Sequence, residues 1–498
     1  MDQYKTPGVY IVEKNAFPNS VVEVATAVPA FLGYTQTALR GKQILTNVPT
    51  RITSLSEFEM LFGGAPQTRF ARGTDDAGNP VIAPTDDTRF LLYNSMRLFF
   101  DNGGAACWIV SVGPYVDGNN AATTKARDDF RVGLDLLEKE PEPTMLVIPD
   151  AVVFGRADWE TLSGWMFQHC TKLRDRVAIF DVYDGHLPRV RGDGDVIRLF
   201  REAMKEDLLS YGTAYYPWVH ATVVSGSELD FRALDMTFAG ELATEITTEL
   251  KLADMEDGDD KDKLTEMVAA ITNPPDTEVK ITRAHNSLLQ LSETYRHVMD
   301  DTLRAANLLP PAAAMAGVYA RTDATFGVFK APANTGLASV SAPCVTISQE
   351  EQEDLNVPVS GKAVNAIRTF MGRGVMVWGA RTLDGNSQDW RYISVRRTMI
   401  FLEQSIKGAA QAYVFSPNTS STWITVANMI RNFLNNQWKA GALAGATPDE
   451  AYQVTVGLGS TMTAQDILDG YMRISVRVAV TRPAEFIEIT FQQKMQTS

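Results

Sequence analysis

Between Val28 and Val224 short apolar runs rich in β-branched residues alternate with stretches whose apolar positions recur every three to four residues. ACWIVSV (106–112), TMLVIP (144–149), RVAIFDVY (176–183) and TAYYPWVHATV (213–223) predict strands that are apolar on both faces. Helices are expected over 89–101, 127–139, 158–174 and 195–210. Ser54 with Glu57 forms a capping box for a further helix running to Phe62, which Gly63-Gly64 closes. Helix–strand units whose strands are apolar on both faces indicate a mainly parallel sheet covered by helices on each side.

The pattern changes after Ala342 to a compact α+β arrangement. Two strands flank Gly372–Gly374, and a helix is expected from about 395 to 412. The helix expected over 422–440 gathers Trp423, Val426, Ala427, Ile430, Phe433, Leu434 and Trp438 on one face, with Arg431, Asn435 and Lys439 opposite. Thr463 with Asp466 caps a short turn. Residues 471–480 alternate, with Met472, Ile474, Val476, Val478 and Val480 inward and Arg473, Ser475 and Arg477 outward. A last strand is expected over 485–491, with Ile487, Ile489 and Phe491 on one face.

The beginning holds a further strand-like segment, GVYIV (8–12), with Val9 and Ile11 on one face and Tyr10 and Val12 on the other. The turn-like NAFPNS that follows leaves nothing local to cover it. Such a segment either tucks under its own domain as an edge strand or adds to the open sheet edge of a neighbour. Residues 254–263, DMEDGDDKDK, carry six acidic and two basic residues and read as a solvated loop. Their spacing fails the calcium-loop pattern, because Glu256 and Lys261 fall where alternate oxygen ligands belong.

At 498 residues the chain exceeds one compact core, and its length suggests roughly two to four domains. A formal net charge of −14 argues against nucleic acid as a partner, since phosphate recognition needs a basic face. Three widely spaced cysteines, Cys107, Cys170 and Cys344, read as reduced structural thiols from a reducing cytoplasm. The first residues lack the features of a signal peptide, and no apolar run approaches the ~20 residues needed to span a bilayer.

Catalytic patterns fail one by one. Gly361-Lys362 precedes Ala363 where a phosphate-binding loop needs Ser or Thr, and the Gly372/Gly374 and Gly192/Gly194 pairs meet Val377 and Ile197 instead of a third glycine. The five histidines (His169, His186, His220, His285 and His297) show no paired ligand spacing. Asp193 and Asp195 lie in a glycine-rich turn. No cofactor, metal ligand or catalytic residue is assigned, and the chain is read as a non-enzyme.

The stretch Leu309 to Asn334, LPPAAAMAGVYARTDATFGVFKAPAN, resembles the signature block of contractile tail sheath proteins, the subunits of phage tails and phage-tail-like injection systems. Asn365 to Leu383 (NAIRTFMGRGVMVWGARTL) and Thr6 to Tyr34 are similar to the same family. The resemblance covers most of the chain and is thinnest over about 66–90 and 224–280. The single long chain, the phrase SVVEVATAVPAFLGYT and the ending GYMRISVRVAVTRPAEFIEITFQQK resemble the sheaths of extracellular contractile injection systems most, with a contractile phage tail sheath as the alternative. A multidomain α/β enzyme and a non-contractile scaffold are the readings from other classes.

The resemblance implies an α/β and α+β multidomain fold. An N-terminal arm (1–22) exchanges a strand with a neighbour, an outer α/β region (23–341) carries a variable acidic insert at about 224–280, and an inner C-terminal sheath domain (342–498) ends in an exchanging strand. The exchange residues are then Val9, Tyr10, Ile11, Val12, Ile487, Ile489 and Phe491. It implies hexameric rings stacked around an inner tube that they drive through a target envelope by contraction. The partners are further copies of the chain, the inner tube protein, and baseplate and terminal cap proteins, with no nucleic acid and no direct membrane insertion. The particle is assembled in the bacterial cytoplasm, as an injection particle released from the cell or as a virion. Candidates for tube contact are Arg396, Arg397 and Lys407 on or near helix 395–412, and Arg431 and Lys439 on helix 422–440. Two arginines at a helix N-terminus oppose the helix dipole and call for an acidic partner, and Glu403 with Lys407 forms an i, i+4 pair that would support the helix by itself.

Overall fold

The computed structural model describes residues 21–74, 78–116, 121–205 and 209–488. The chain divides into two compact units: Ala25–Arg397 is one, and the second joins the N-terminal segment up to Val24 with the chain from Thr398 onward. The strand expected over 8–12, the NAFPNS turn, and Ile489 and Phe491 lie outside the described residues.

The larger unit is built on a nine-stranded sheet. In spatial order its strands are Thr335–Gly336, Gly374–Trp378, Asn365–Phe370, Gly212–Tyr216, Val177–Asp181, Met145–Val147, Pro29–Thr35, Cys107–Pro114 and Thr50–Ile52. The six strands from Asn365–Phe370 to Cys107–Pro114 run parallel. The outer strands at either end are antiparallel. Pro29–Thr35, Met145–Val147, Val177–Asp181 and Gly212–Tyr216 are buried along their whole length, as strands covered on both faces must be. Ser54 caps that helix as expected, its Oγ accepting from the Glu57 N–H at 3.2 Å, but Glu57 accepts from the Thr53 N–H at 2.8 Å instead of closing a box on Ser54, and Gly63, with φ of 80°, ends the helix.

The signature block supplies the most enclosed helix of this unit, Ala312–Phe326. Its AAAMAG run has a packing reason. It lies against the helix Leu92–Asp101, and a Cβ added at Gly317 would collide with the carbonyl of Phe99 and stand 2.9 Å from Asn102 Cβ. Asp181, at the end of its sheet strand, accepts a 2.7 Å hydrogen bond from the Ala312 backbone N–H, capping this helix where two prolines precede it. Near the other end Asp323 forms a bidentate ion pair with Arg397, at 2.5 and 3.1 Å, with both side chains almost sealed from solvent.

Three expectations give way here. The run 213–223 is two strands: Gly212–Tyr216 belongs to the large sheet, and Val219–Ala221 pairs instead with Leu308–Leu309 and Val340–Pro343. Pro217 stands between them and cannot donate to a ladder. The acidic run 254–263 is not a loop throughout, because Asp259–Thr272 is a helix whose first turn holds Asp259, Asp260 and Asp262, where carboxylates favour the helix dipole. The segment around it is helical: Met236–Glu249, Asp259–Thr272, Glu278–Leu291 and Glu293–Ala306 enclose a core of Phe238, Leu242, Ile246, Ile271, Leu288 and Tyr295. Finally, residues 342–397, grouped with the C-terminal domain on sequence texture, contribute Asn365–Phe370 and Gly374–Trp378 to the large sheet, and the unit boundary falls within the helix Ile393–Gln411.

The smaller unit is an α+β body. The helix Ser420–Lys439 buries Val426, Ala427, Met429, Ile430, Phe433, Leu434 and Gln437, most of the expected apolar face. Phe433 meets Phe401 with ring centroids 6.0 Å apart. Glu23 and Val24 anchor the N-terminal segment in the same unit: Gln437 donates to Glu23 Oε1 at 2.6 Å, and the Val24 N–H donates to Ser405 Oγ at 3.2 Å.

Candidate assembly interface

Among the described residues the sheet of the smaller unit has two strands, Tyr452–Val456 and Ile474–Val478, paired antiparallel with Val454 opposite Val476. The alternation expected over 471–480 holds in direction: Ile474, Val476 and Val478 are half-buried, and Arg473, Ser475 and Arg477 are exposed. The inner ladder is fixed by Ala479, whose N–H donates to the Ala451 carbonyl at 2.8 Å and whose carbonyl accepts from Ala444 at 2.7 Å. In an antiparallel pair the backbone groups of successive residues point alternately to the partner and away. Ser475 and Arg477 therefore bond inward, while Ile474, Val476 and Val478 turn their N–H and C=O groups to the outer edge. Among the described residues none hydrogen-bonds to that edge.

The opposite edge is closed at its centre. Arg431, on the helix Ser420–Lys439, donates to the Val454 carbonyl at 2.9 Å and to Asn428 Oδ1 at 3.1 Å. The ribbon thus has one capped side and one bare side. Beyond it residues 481–488 form no strand, and Phe486 and Ile487 are exposed, at 75% and 80%. The strand expected from 485 is therefore absent over its described part. A strand exists only against a hydrogen-bonded neighbour, and no described segment lies beside this one.

The five basic candidates separate into two groups. Arg396 and Arg397 are buried. Arg396 stacks over Trp390, 3.7 Å from the ring centroid, and also faces Tyr211. Arg397 pairs with Asp323 and donates to the Thr26 carbonyl at 2.9 Å. Both serve their own fold and present no guanidinium to a partner, which corrects their assignment to tube contact. Lys407, Arg431 and Lys439 are exposed. Arg431 is nevertheless committed to the ribbon, and among the described residues Lys407 and Lys439 make no ion pair.

The buried aspartates have structural partners. Asp150 accepts from the backbone N–H groups of Leu91 at 2.6 Å and Tyr34 at 3.1 Å, and burial raises its pKa to about 6. Burial raises that of Asp181 to about 7. Burial pushes the thiols of Cys170 and Cys344 up to about 12, so neither is a nucleophile near neutral pH. Among the described residues no cluster of His, Cys, Asp and Glu could hold a metal ion, and no helix is long and apolar enough to cross a membrane.

Comparison with known proteins fits this geometry. The phage tail sheath C-terminal domain family matches residues 386–494. The chain aligns over 99% of its length with the contracted helical sheath of the anti-feeding prophage AFP, covering all of that chain at 30% identity and a TM-score of 0.61. It aligns likewise over 99% of both chains with the contracted sheath of PVC, an extracellular contractile injection system, at 26% identity and a TM-score of 0.61. A curated relative, a putative prophage major tail sheath protein of Pseudomonas aeruginosa strain UCBPP-PA14, is 27% identical over 29% of this chain. A tail sheath protein of Salmonella phage ViI is 25% identical over 32% of it. The matches span 38% and 25% of those two relatives' own lengths. The chain belongs to the contractile tail sheath protein family.

Proposed function

We propose that this chain is the sheath subunit of an extracellular contractile injection system, a structural protein without catalytic activity. It polymerises as stacked hexameric rings around an inner tube and shortens to drive that tube through a target envelope. The observation that carries the reading is the bare edge of the 474–478 strand, in a unit whose described residues form two strands. An isolated two-stranded ribbon is marginal in water, and a third strand from another copy completes it by main-chain hydrogen bonds. Residues 8–12 and 485–491 of neighbouring copies are the segments proposed to fill it, and the anchoring of Glu23 and Val24 in this same unit supports an arm that departs from it. The full-length likeness to the AFP and PVC sheaths supports the injection-system assignment. Lys407 and Lys439 are proposed to face the inner tube, with baseplate and cap proteins as end partners. The particle is proposed to assemble in the bacterial cytoplasm before release.

Val476→Pro tests the edge. Proline removes the outward N–H at 476 and leaves the inward ladder of Ser475 and Arg477 in place. The variant should be soluble and folded by circular dichroism, yet form no long sheaths by negative-stain microscopy. Sheaths of normal length would overturn the reading. The phage and prophage tail sheath relatives favour a second reading, a phage tail sheath, and capsid and lysis genes beside this one would select it.

A further inference from the structure

Within the larger unit, a cavity of about 780 Å³ opens between the hairpin Phe70–Thr74/Pro80–Pro84, the chain leading into the helix Leu92–Asp101, and the helical segment after Val224. That volume lies in the range of small-molecule pockets, ~300–1,000 Å³. Phe70, Phe231, Ile271 and Leu309 give it apolar walls. Two polar side chains in the lining have no partner where the fold would require one. Arg89 Nε is sealed from solvent and makes no hydrogen bond, and no described carboxylate forms an ion pair with Arg89. Its guanidinium lies over the face of Trp218, 5.5 Å from the ring centroid, with Asp86 and Asp184 near enough to act on its charge. Asn94 Oδ1, in the same lining, is equally enclosed and unbonded.

Of the other charges around the cavity, Arg69 is exposed with no ion pair among the described residues, and the carboxylates are matched. Glu228 pairs with Arg97 outside the lining and takes a hydrogen bond from the Ser225 N–H, while Asp230 and Glu278 share Arg232. Arg89 thus has no direct anionic partner, and Asp86 and Asp184 offset its burial only at longer range. Burial of part of a guanidinium without a directly bonded anion is unfavourable, and a bound anion offsets it.

We propose that this cavity binds an organic anion, a carboxylate or phosphate head on an apolar body. Arg89 donates to the anionic oxygens, a hydroxyl or amide N–H of the ligand donates to Asn94 Oδ1, and the body lies between Phe70 and Leu309. This site is independent of the sheath reading, since it involves neither the ribbon nor the terminal segments.

Calorimetric titration of the full chain with phenyl phosphate, inorganic phosphate and benzyl alcohol at fixed ionic strength tests it. Phenyl phosphate should bind about tenfold tighter than inorganic phosphate, and benzyl alcohol should give no measurable heat. Arg89→Met should lose at least about tenfold in phenyl phosphate affinity while folding as well as the parent. Asn94→Asp, nearly isosteric, should weaken binding by placing a second negative charge beside the head. Arg89→Lys should retain most of the affinity. Heats indistinguishable from sodium chloride, or affinity unchanged in both Arg89→Met and Asn94→Asp, would overturn the proposal.

Discussion

The nine-stranded sheet and the two-stranded ribbon of the smaller unit solve opposite problems. In the larger unit nine strands lie side by side, and the four central strands from Pro29–Thr35 to Gly212–Tyr216 are buried from end to end. Each of those four has a neighbour within the chain on both sides. Among the described residues of the smaller unit two five-residue strands stand alone, half-buried, with one edge capped by Arg431 and the other bare. A closed sheet puts its hydrogen bonds into its own stability, whereas an open one holds them for something outside. Substitutions in the large sheet and its helices should therefore act on folding, and substitutions at the ribbon on assembly.

The largest effect should come from Asp323→Ala. It leaves Arg397 buried without its anion, a loss of about 3–5 kcal/mol by comparison with other broken buried pairs. Denaturant unfolding followed by tryptophan fluorescence should show the midpoint fall steeply; an unchanged midpoint would mean the pair is not sealed. Gly317→Val comes next, because its side chain meets the Phe99 carbonyl and Asn102, and about 1–3 kcal/mol of overpacking is expected in the same assay.

A third test uses pH. Asp181 and Asp150 hold their protons more tightly folded than unfolded, where an aspartate titrates near 3.9. Their contribution to stability is full below about pH 4 and is lost as pH rises through about 6 and then about 7. The unfolding midpoint should thus drop between pH 5 and pH 8, and Asp181→Asn, which can still accept from Ala312, should flatten that slope. A slope identical to the parent's would remove Asp181 from the account. Smallest in stability is Lys407→Glu with Lys439→Glu, both exposed, which should move the midpoint within about 0.5 kcal/mol. Their effect belongs to assembly: sheaths on tubes should be lost, and tube-filled particles from the double variant would clear both lysines of tube contact.

Much of the large sheet was legible because its strands are continuous apolar runs and its helices have clear ends, such as Ser54 and Gly63. The helical segment after Val224 was harder to read. Phe238, Leu242 and Ile246 do follow at four-residue spacing, but the charge of 254–263 drew attention to solvation instead. Arg396 and Arg397 looked like surface charges since their partners are remote or aromatic: Asp323 lies 74 positions away. The bare ribbon edge was partly visible. Alternation marked Ile474, Val476 and Val478 as one face, yet alternation describes side chains and is silent about which backbone groups lack a neighbour.

The helix Ala312–Phe326 has a mechanical consequence. Fifteen residues make a rod about 22 Å long. One end is pinned by Asp181 at a strand end, the other by the Asp323–Arg397 ion pair. Over its first turns the side chains mostly stop at Cβ and have no rotamers through which to absorb a displacement. Such an element is stiff: a load on one pin reaches the other with little loss. A body crossed by so incompliant a strut yields elsewhere first, at turns and strand edges, and keeps its own shape while its surroundings move.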